Sequence, residues 1–187
     1  MYVHTIMKKI LTFGASNSKD SINHQLAIWA ANQLEDVEVI EIKLNDYEMP
    51  IYGIDKEKAH GIPSLAKDFK KLVDEADGII VSFAEHNGLF STAFKNVFDW
   101  ISRLGAPIWS DKPMMIMSAA PGARGGASVL KVAETTLPYR GTKISGVFSL
   151  PFFGKNFNDG LVNSELLAEF NKQLSFIDRA LHEPTMA

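Results

Sequence analysis

Gly78-Ile79-Ile80-Val81-Ser82-Phe83-Ala84-Glu85-His86-Asn87-Gly88-Leu89-Phe90-Ser91 opens on a short, β-branched apolar run, the mark of a strand buried on both faces. From Thr92 to Arg103, Phe94, Val97, Phe98 and Ile101 recur at helical spacing and carry the chain back over a sheet. The polar turn between the two therefore stands at the carboxyl end of a strand. In open parallel α/β sheets that is where ligands bind. Glu85, His86 and Asn87 offer polar edges there, and Gly88 lets a flat ligand approach the backbone closely.

The same strand-turn-helix unit recurs on both sides. Lys9–Gly14 reads as a first strand, followed by a Gly/Ala/Ser turn and a helix from Ser21 to Leu34. Val37–Leu44 alternates apolar and charged residues, as a half-exposed edge strand does. Asn45–Pro63 reads as a long functional or mobile loop, and Ser64–Ala76 as a helix leading into Gly78. Beyond Arg103 come a strand at Met114–Met117, a small-residue turn from Ser118 to Gly126, and a helix from Ala127 to Leu137. A strand at Ile144–Leu150 and a helix from Asn163 to Leu181 complete the pattern. Such alternation predicts one doubly wound α/β domain over residues 7–182, a parallel sheet with helices on both faces, and loose termini at 1–6 and 183–187.

Composition narrows the partners. With 187 residues, 46% hydrophobic and 22% charged, the chain has the make-up of an ordinary globular domain. A net charge of −3 gives no electrostatic case for nucleic acid or a membrane surface. The absence of cysteine excludes disulfides, thiolate catalysis and cysteine metal sites. The histidines at 4, 24, 60, 86 and 182 show no metal-ligand spacing, so no metal is expected. No apolar run reaches the ~20 residues of a membrane span, and the start is too short and polar for a secretory signal, so a cytoplasmic location is expected.

The first turn, Gly14-Ala15-Ser16-Asn17-Ser18-Lys19-Asp20-Ser21-Ile22-Asn23, carries neither a dinucleotide fingerprint nor a Walker A loop. Its hydroxyls, amide and backbone N–H groups at a helix N-terminus suit one phosphate dianion, with Ser16, Ser18, Ser21 and Asn23 as donors. The same residues also serve as ordinary helix caps.

Taken together, the three turns resemble the NADPH-dependent FMN reductase family, flavodoxin-like flavoproteins that include azoreductases, chromate reductases and quinone reductases. The first loop of that family is similar to G-S-x-R-x-x-S-x-N and is matched at Ser16, Ser21 and Asn23. Its second, P-E-Y-N-G-S before an L-K-N-A-[IL]-D-W helix, is matched at Glu85, Asn87, Gly88, Lys95, Asn96, Asp99 and Trp100. Its third, a small-residue turn, is represented by Ser118, Gly125 and Gly126. The chain departs from the pattern in three places: Ser18 replaces an arginine, Ala84 and His86 replace a proline and a tyrosine, and Leu89 replaces a serine.

The resemblance implies a five-stranded flavodoxin-like sheet in the order 2-1-3-4-5. It implies FMN as cofactor and NADPH or NADH as co-substrate, with electrons passing through FMN to a small acceptor such as a quinone, azo compound, metal oxyanion or free flavin. A non-catalytic FMN electron carrier or flavin sensor is the alternative. The residues implied in cofactor binding are Ser16, Ser18, Ser21, Ile22, Asn23, Glu85, His86, Asn87, Gly88, Ser118, Pro121 and Gly122. No catalytic side chain is implied, because the cofactor carries the chemistry.

Glu85 reads equally well as a surface carboxylate. His86 is read as a cofactor or substrate contact able to donate a proton. Phe94, Phe98 and Trp100 are read as packing, and Arg124 as a solvated loop arginine. The resemblance also implies a homodimer or homotetramer with the flavin near an interface. Leu89, Phe90, Ile108 and Trp109 suit either the rim of such an interface or an acceptor pocket.

Overall fold

Ile79, Ile80 and Val81 lie at the centre of the molecule, each nearly or wholly buried. In the computed structural model, which describes residues 7–182, they belong to β3 (Gly78–Phe83). This strand pairs in parallel with β1 (Lys8–Ala15) on one side and with β6 (Lys112–Ala119) on the other. β2 (Val37–Glu41) adds to the free side of β1 and β7 (Thr142–Leu150) to that of β6. The sheet order is thus β2-β1-β3-β6-β7, all parallel, which is the expected 2-1-3-4-5 order counted over the main sheet. β2 is an edge strand with a half-exposed burial pattern, as its alternation predicts.

Side-chain alternation sends successive residues to opposite faces. Leu11, Phe13, Ile79, Val81, Met114 and Ile116 pack against α3 (Ser64–Glu75), α4 (Thr92–Ile101) and α5 (Ala127–Thr136). Ile10, Ile80, Met115, Met117 and Phe148 pack against α1 (Ile22–Ala31), α7 (Ser164–His182) and the single turn α6 (Phe153–Asn156). Phe94, Phe98 and Trp100 are packing residues, as expected: Phe94 stacks among Phe13, Phe83, Phe90, Phe98 and Trp109, while Trp100 is buried and donates from Nε1 to Pro50 O at 2.7 Å.

The structure departs from the sequence reading in several places. The second strand stops at Glu41, because Leu44–Tyr47 form a 3₁₀ turn that buries Leu44. The expected loop 45–63 contains α2 (Ile54–His60), which has no buried residue and hence no apolar stripe to announce it. Its remaining signals are local: Gly53 at the N-cap, Asp55 and Glu57 in the first turn, and Lys58 and His60 in the last. The turn after β3 is a small hairpin of β4 (Glu85–His86) and β5 (Leu89–Phe90), with Asn87 at φ 53° and Gly88 at φ 80°, the left-handed pair a two-residue type I′ turn requires. Ile108 and Trp109 are core residues rather than rim, exposed by only 3% and 1%. The proposed loose termini lie outside the described residues. No helix among those described is long and apolar enough to cross a membrane.

Candidate functional site

Parallel strands aim all their carboxyl ends at one side, so the turns after β1, β3 and β6 converge there. Register brings Ala15 opposite Phe83, and Ser82 opposite both Gly14 and Met117. Asn23 ties the three together beneath the surface. Its Oδ1 accepts from Ser82 Oγ at 2.7 Å and from Ala119 N at 2.8 Å, while its Nδ2 donates to Ala119 O at 3.1 Å. Only 4% of Asn23 is exposed, so its carboxamide is committed to the frame. Ser91 adds a second tie, donating from Oγ to Ala15 O at 2.8 Å and accepting from Phe94 N as the cap of α4.

The first turn keeps donors free above this frame. Ser21 caps α1 by accepting from His24 N at 3.1 Å, and the Ser16 hydroxyl accepts from Ser18 N at 3.2 Å. The first N–H groups of a helix have no intrahelical acceptor, and those at Ile22 and Asn23 open α1 here. Asn17, Ser18 and Lys19 are exposed at the tip. A cavity of about 280 Å³ beside the turn is lined by Ser16, Ser18, Lys19, His24, Lys43 and Asn45, among others. Lys19 and Lys43 thus bring positive charge where Ser18 has none. His24 is held in the wall, accepting at Nδ1 from Gly14 N (3.4 Å) and donating from Nε2 to Glu41 at 3.0 Å.

The second and third turns face each other. His86 and Asn87 are exposed at the tip of the β4–β5 hairpin, and Pro121, Gly122, Ala123 and Arg124 are exposed in the turn after β6. Arg124 hydrogen bonds to Ser128 Oγ at the start of α5. Gly126 stands at φ 79°, and a Cβ there would run into Ser118 Oγ. Ser118 is wholly buried and donates to Phe83 O at 2.7 Å, so its side chain joins the third turn to β3 instead of meeting the crevice. Glu85 reaches across the gap: its Oε2 accepts from Ser128 N and Val129 N, both at 3.1 Å. Of the residues named from sequence, Ser16 and Ser18 line the cavity beside the first turn, His86, Asn87, Pro121 and Gly122 are exposed in the second and third turns, Gly88 is half-buried, and Ile22 packs against the core. Ser21, Asn23, Glu85 and Ser118 shape it through hydrogen bonds inside the protein.

Sequence reasoning missed the roles of Ser82, Ser91 and Lys43. A serine just before a helical run is a legible cap signal, but the tie from Ser91 to Ala15 is not, since it joins residues 76 apart.

The strand order and the convergence of three turns at the carboxyl ends of β1, β3 and β6 define a flavodoxin-like α/β protein. The model of the family described as NADPH-dependent FMN reductase matches residues 8–154, and the chain belongs to that family. Relatives include a quinone reductase of Escherichia coli K12, 30% identical over 80 residues, which are 43% of each chain. A 2-hydroxy-1,4-benzoquinone reductase of a Burkholderia species is 31% identical over 121 residues, 64% of each chain. The matched segment spans less than half the length of the first curated relatives. Among solved structures, the flavoenzyme NAD(P)H:(acceptor) oxidoreductase of Paracoccus denitrificans has a TM-score of 0.70 at 20% identity, covering 92% of this chain and 98% of that one. An NADH:FMN oxidoreductase in its apo form also scores 0.70, at 15% identity, with 95% and 92% covered. At those identities the likeness is one of fold.

Proposed function

We propose that the protein binds FMN across its three convergent turns and passes electrons from NAD(P)H to a small acceptor of the quinone class. Family membership supports the cofactor, and relatives named as quinone reductases support the acceptor. The observation that carries the reading is the convergence of a donor-rich helix N-terminus with two exposed turns at one end of the sheet. When bound, FMN supplies the hydride and electron chemistry that no side chain here can perform.

The chain's own groups do the rest. The hydroxyls of Ser16 and Ser18 and the N–H groups opening α1 hold the phosphate, with Lys19 and Lys43 supplying countercharge. Backbone groups at His86, Asn87 and Gly88 meet the polar edge of the ring and stabilise negative charge developing there. Gly122 has open space where a Cβ would stand, so the third turn leaves room for the ring's other end. His86 is exposed on the hairpin tip, which supports a contact with the acceptor.

The protein is further proposed to work as a homo-oligomer through the apolar surface beside the second turn. There a cavity of about 360 Å³ is lined by Ile51, Leu89, Phe90, Phe98 and Val132, among others, and Ile51 and Leu89 are 67% and 57% exposed. Apolar side chains this exposed and this close together are typical of an interface core.

Anaerobic mixing of FMN-loaded protein with NADH and with NADPH, followed by flavin absorbance, tests the reductase reading. Rapid bleaching by either donor, then reoxidation by a benzoquinone, is expected. Stable binding of FMN without bleaching by either donor would make the protein an electron carrier.

A further inference from the structure

We propose that Glu85 is a positioning residue that latches the second turn onto helix α5 and so sets the spacing of the two walls that hold the flavin; this rests on the functional reading above. Helix α5 begins after Gly126, which has no side chain to cap it, so its first N–H groups need an acceptor from elsewhere. One carboxylate oxygen, Glu85 Oε2, accepts from both Ser128 N and Val129 N. A carboxylate is the best acceptor at such a site because it meets the positive end of the helix dipole.

The latch is anchored at both ends. The Glu85 backbone pairs with Phe90, whose ring packs on Phe83 and Phe94 in the core. On the other side, Val129 is fully buried and Gly126 is wedged over Ser118. Gly88, two residues past His86, lies against the same first turn of α5: a Cβ there would be 3.7 Å from Ser128 Cβ. The hairpin carrying His86 and Asn87 is therefore held to the third turn by one carboxylate cap. Glu85 itself acts through the backbone it holds and touches no ligand.

Reciprocity follows from this arrangement. A flavin seated between the walls stabilises the latched state, and the latched state binds flavin more tightly, by the same factor. Hydrogen exchange at Ser128 and Val129 reads the latch without any turnover. In wild-type protein those amides should exchange slowly, and more slowly still with FMN bound.

Glu85→Ala and Glu85→Gln test the assignment. In E85A the two amides should exchange at least about tenfold faster without FMN, and FMN affinity measured by fluorescence quenching should fall about tenfold. E85Q keeps a carbonyl oxygen in place and should recover most of both. Unchanged FMN affinity in E85A overturns the proposal, as does weakened affinity with amide protection intact, which would put the carboxylate in direct contact with the ligand. Equal loss of affinity in E85A and E85Q also overturns it, since retained acceptor geometry should rescue. If wild-type protein takes up no FMN, the functional reading fails and this inference fails with it; wild-type uptake with an indifferent E85A sinks this inference alone.

Discussion

Asn23, at the start of α1, and Lys43, which follows β2 and lines the cavity beside the first turn, carry opposite kinds of work. Asn23 spends its carboxamide on Ser82 and on both backbone groups of Ala119. Asn23→Ala leaves those buried groups without partners, and an expected loss of about 2–4 kcal/mol in folding free energy follows, measured by urea denaturation. Lys43 and Lys19 line the cavity beside the turn and are free to meet an anion. The double substitution Lys19→Gln, Lys43→Gln should weaken FMN about fivefold while leaving riboflavin nearly unaffected, because riboflavin lacks the phosphate and exposed charges contribute modestly. Equilibrium titration with both ligands checks it; equal losses for the two would show that the lysines do not read the phosphate.

Among the elements, α4 holds down a segment that has no regular structure of its own. Asn96 Oδ1 accepts from Tyr52 N at 2.8 Å and its Nδ2 donates to Met49 O at 3.0 Å, while Trp100 Nε1 reaches Pro50 O. The segment then continues into α2, where Tyr52 donates to Glu57 and Arg103 pairs with the same carboxylate. Asn96→Ala should raise amide exchange at Tyr52 by about tenfold and cost about 1–3 kcal/mol, while leaving the sheet amides as protected as before. The sequence match at Asn96 and Trp100 marked a motif. Its structural task became visible only when the chain from Met49 to Tyr52 was laid across the helix.

For the molecule as a whole, the two ends of the sheet divide the labour. The carboxyl ends carry the site, and the amino ends carry ion pairs that fasten the strands. Asp77 accepts from Lys9 N at 2.9 Å and from Lys8 Nζ at 3.1 Å. Burial pushes the Asp77 carboxyl up, but the hydrogen bonds from Lys9 and Lys8 outweigh it and hold it below the ordinary carboxylate range. Asp74 is lowered in the same way, with partial burial opposed by Lys70 and Ser110. A depressed native pKa contributes stability that is complete above the unfolded value of about 3.9 and is lost as pH falls through the native value. In Asp77→Asn the denaturation midpoint should therefore drop less than that of wild type as pH is lowered from about 5 to about 2. An acid limb of unchanged steepness would show that Asp77 does not contribute to it.

The oligomer proposal belongs to the same scale. Leu89→Glu places a charge on the exposed apolar surface and should shift the protein towards monomer, measured by light scattering. Because Leu89 is 57% exposed within one chain, the fold of that chain should survive the change.

The strand cores at Ile10, Ile79 and Met115, the helices of the main layers and the parallel sheet were legible because burial imposes short-range periodicity, and right-handed crossovers leave few ways to wind such a pattern, whereas the strand order was implied by the family resemblance. The turn residues were legible as well, since hydroxyls and glycines at strand ends have few structural substitutes. Helix α2 was not, because it buries nothing and therefore leaves no apolar period in the chain. Nor were the pairings of Glu85 with Ser128, Asn23 with Ala119 and Ser91 with Ala15, which lie 43, 96 and 76 residues apart. Local sequence states which groups need a hydrogen bond, whereas the partner for each depends on which loops the sheet brings side by side.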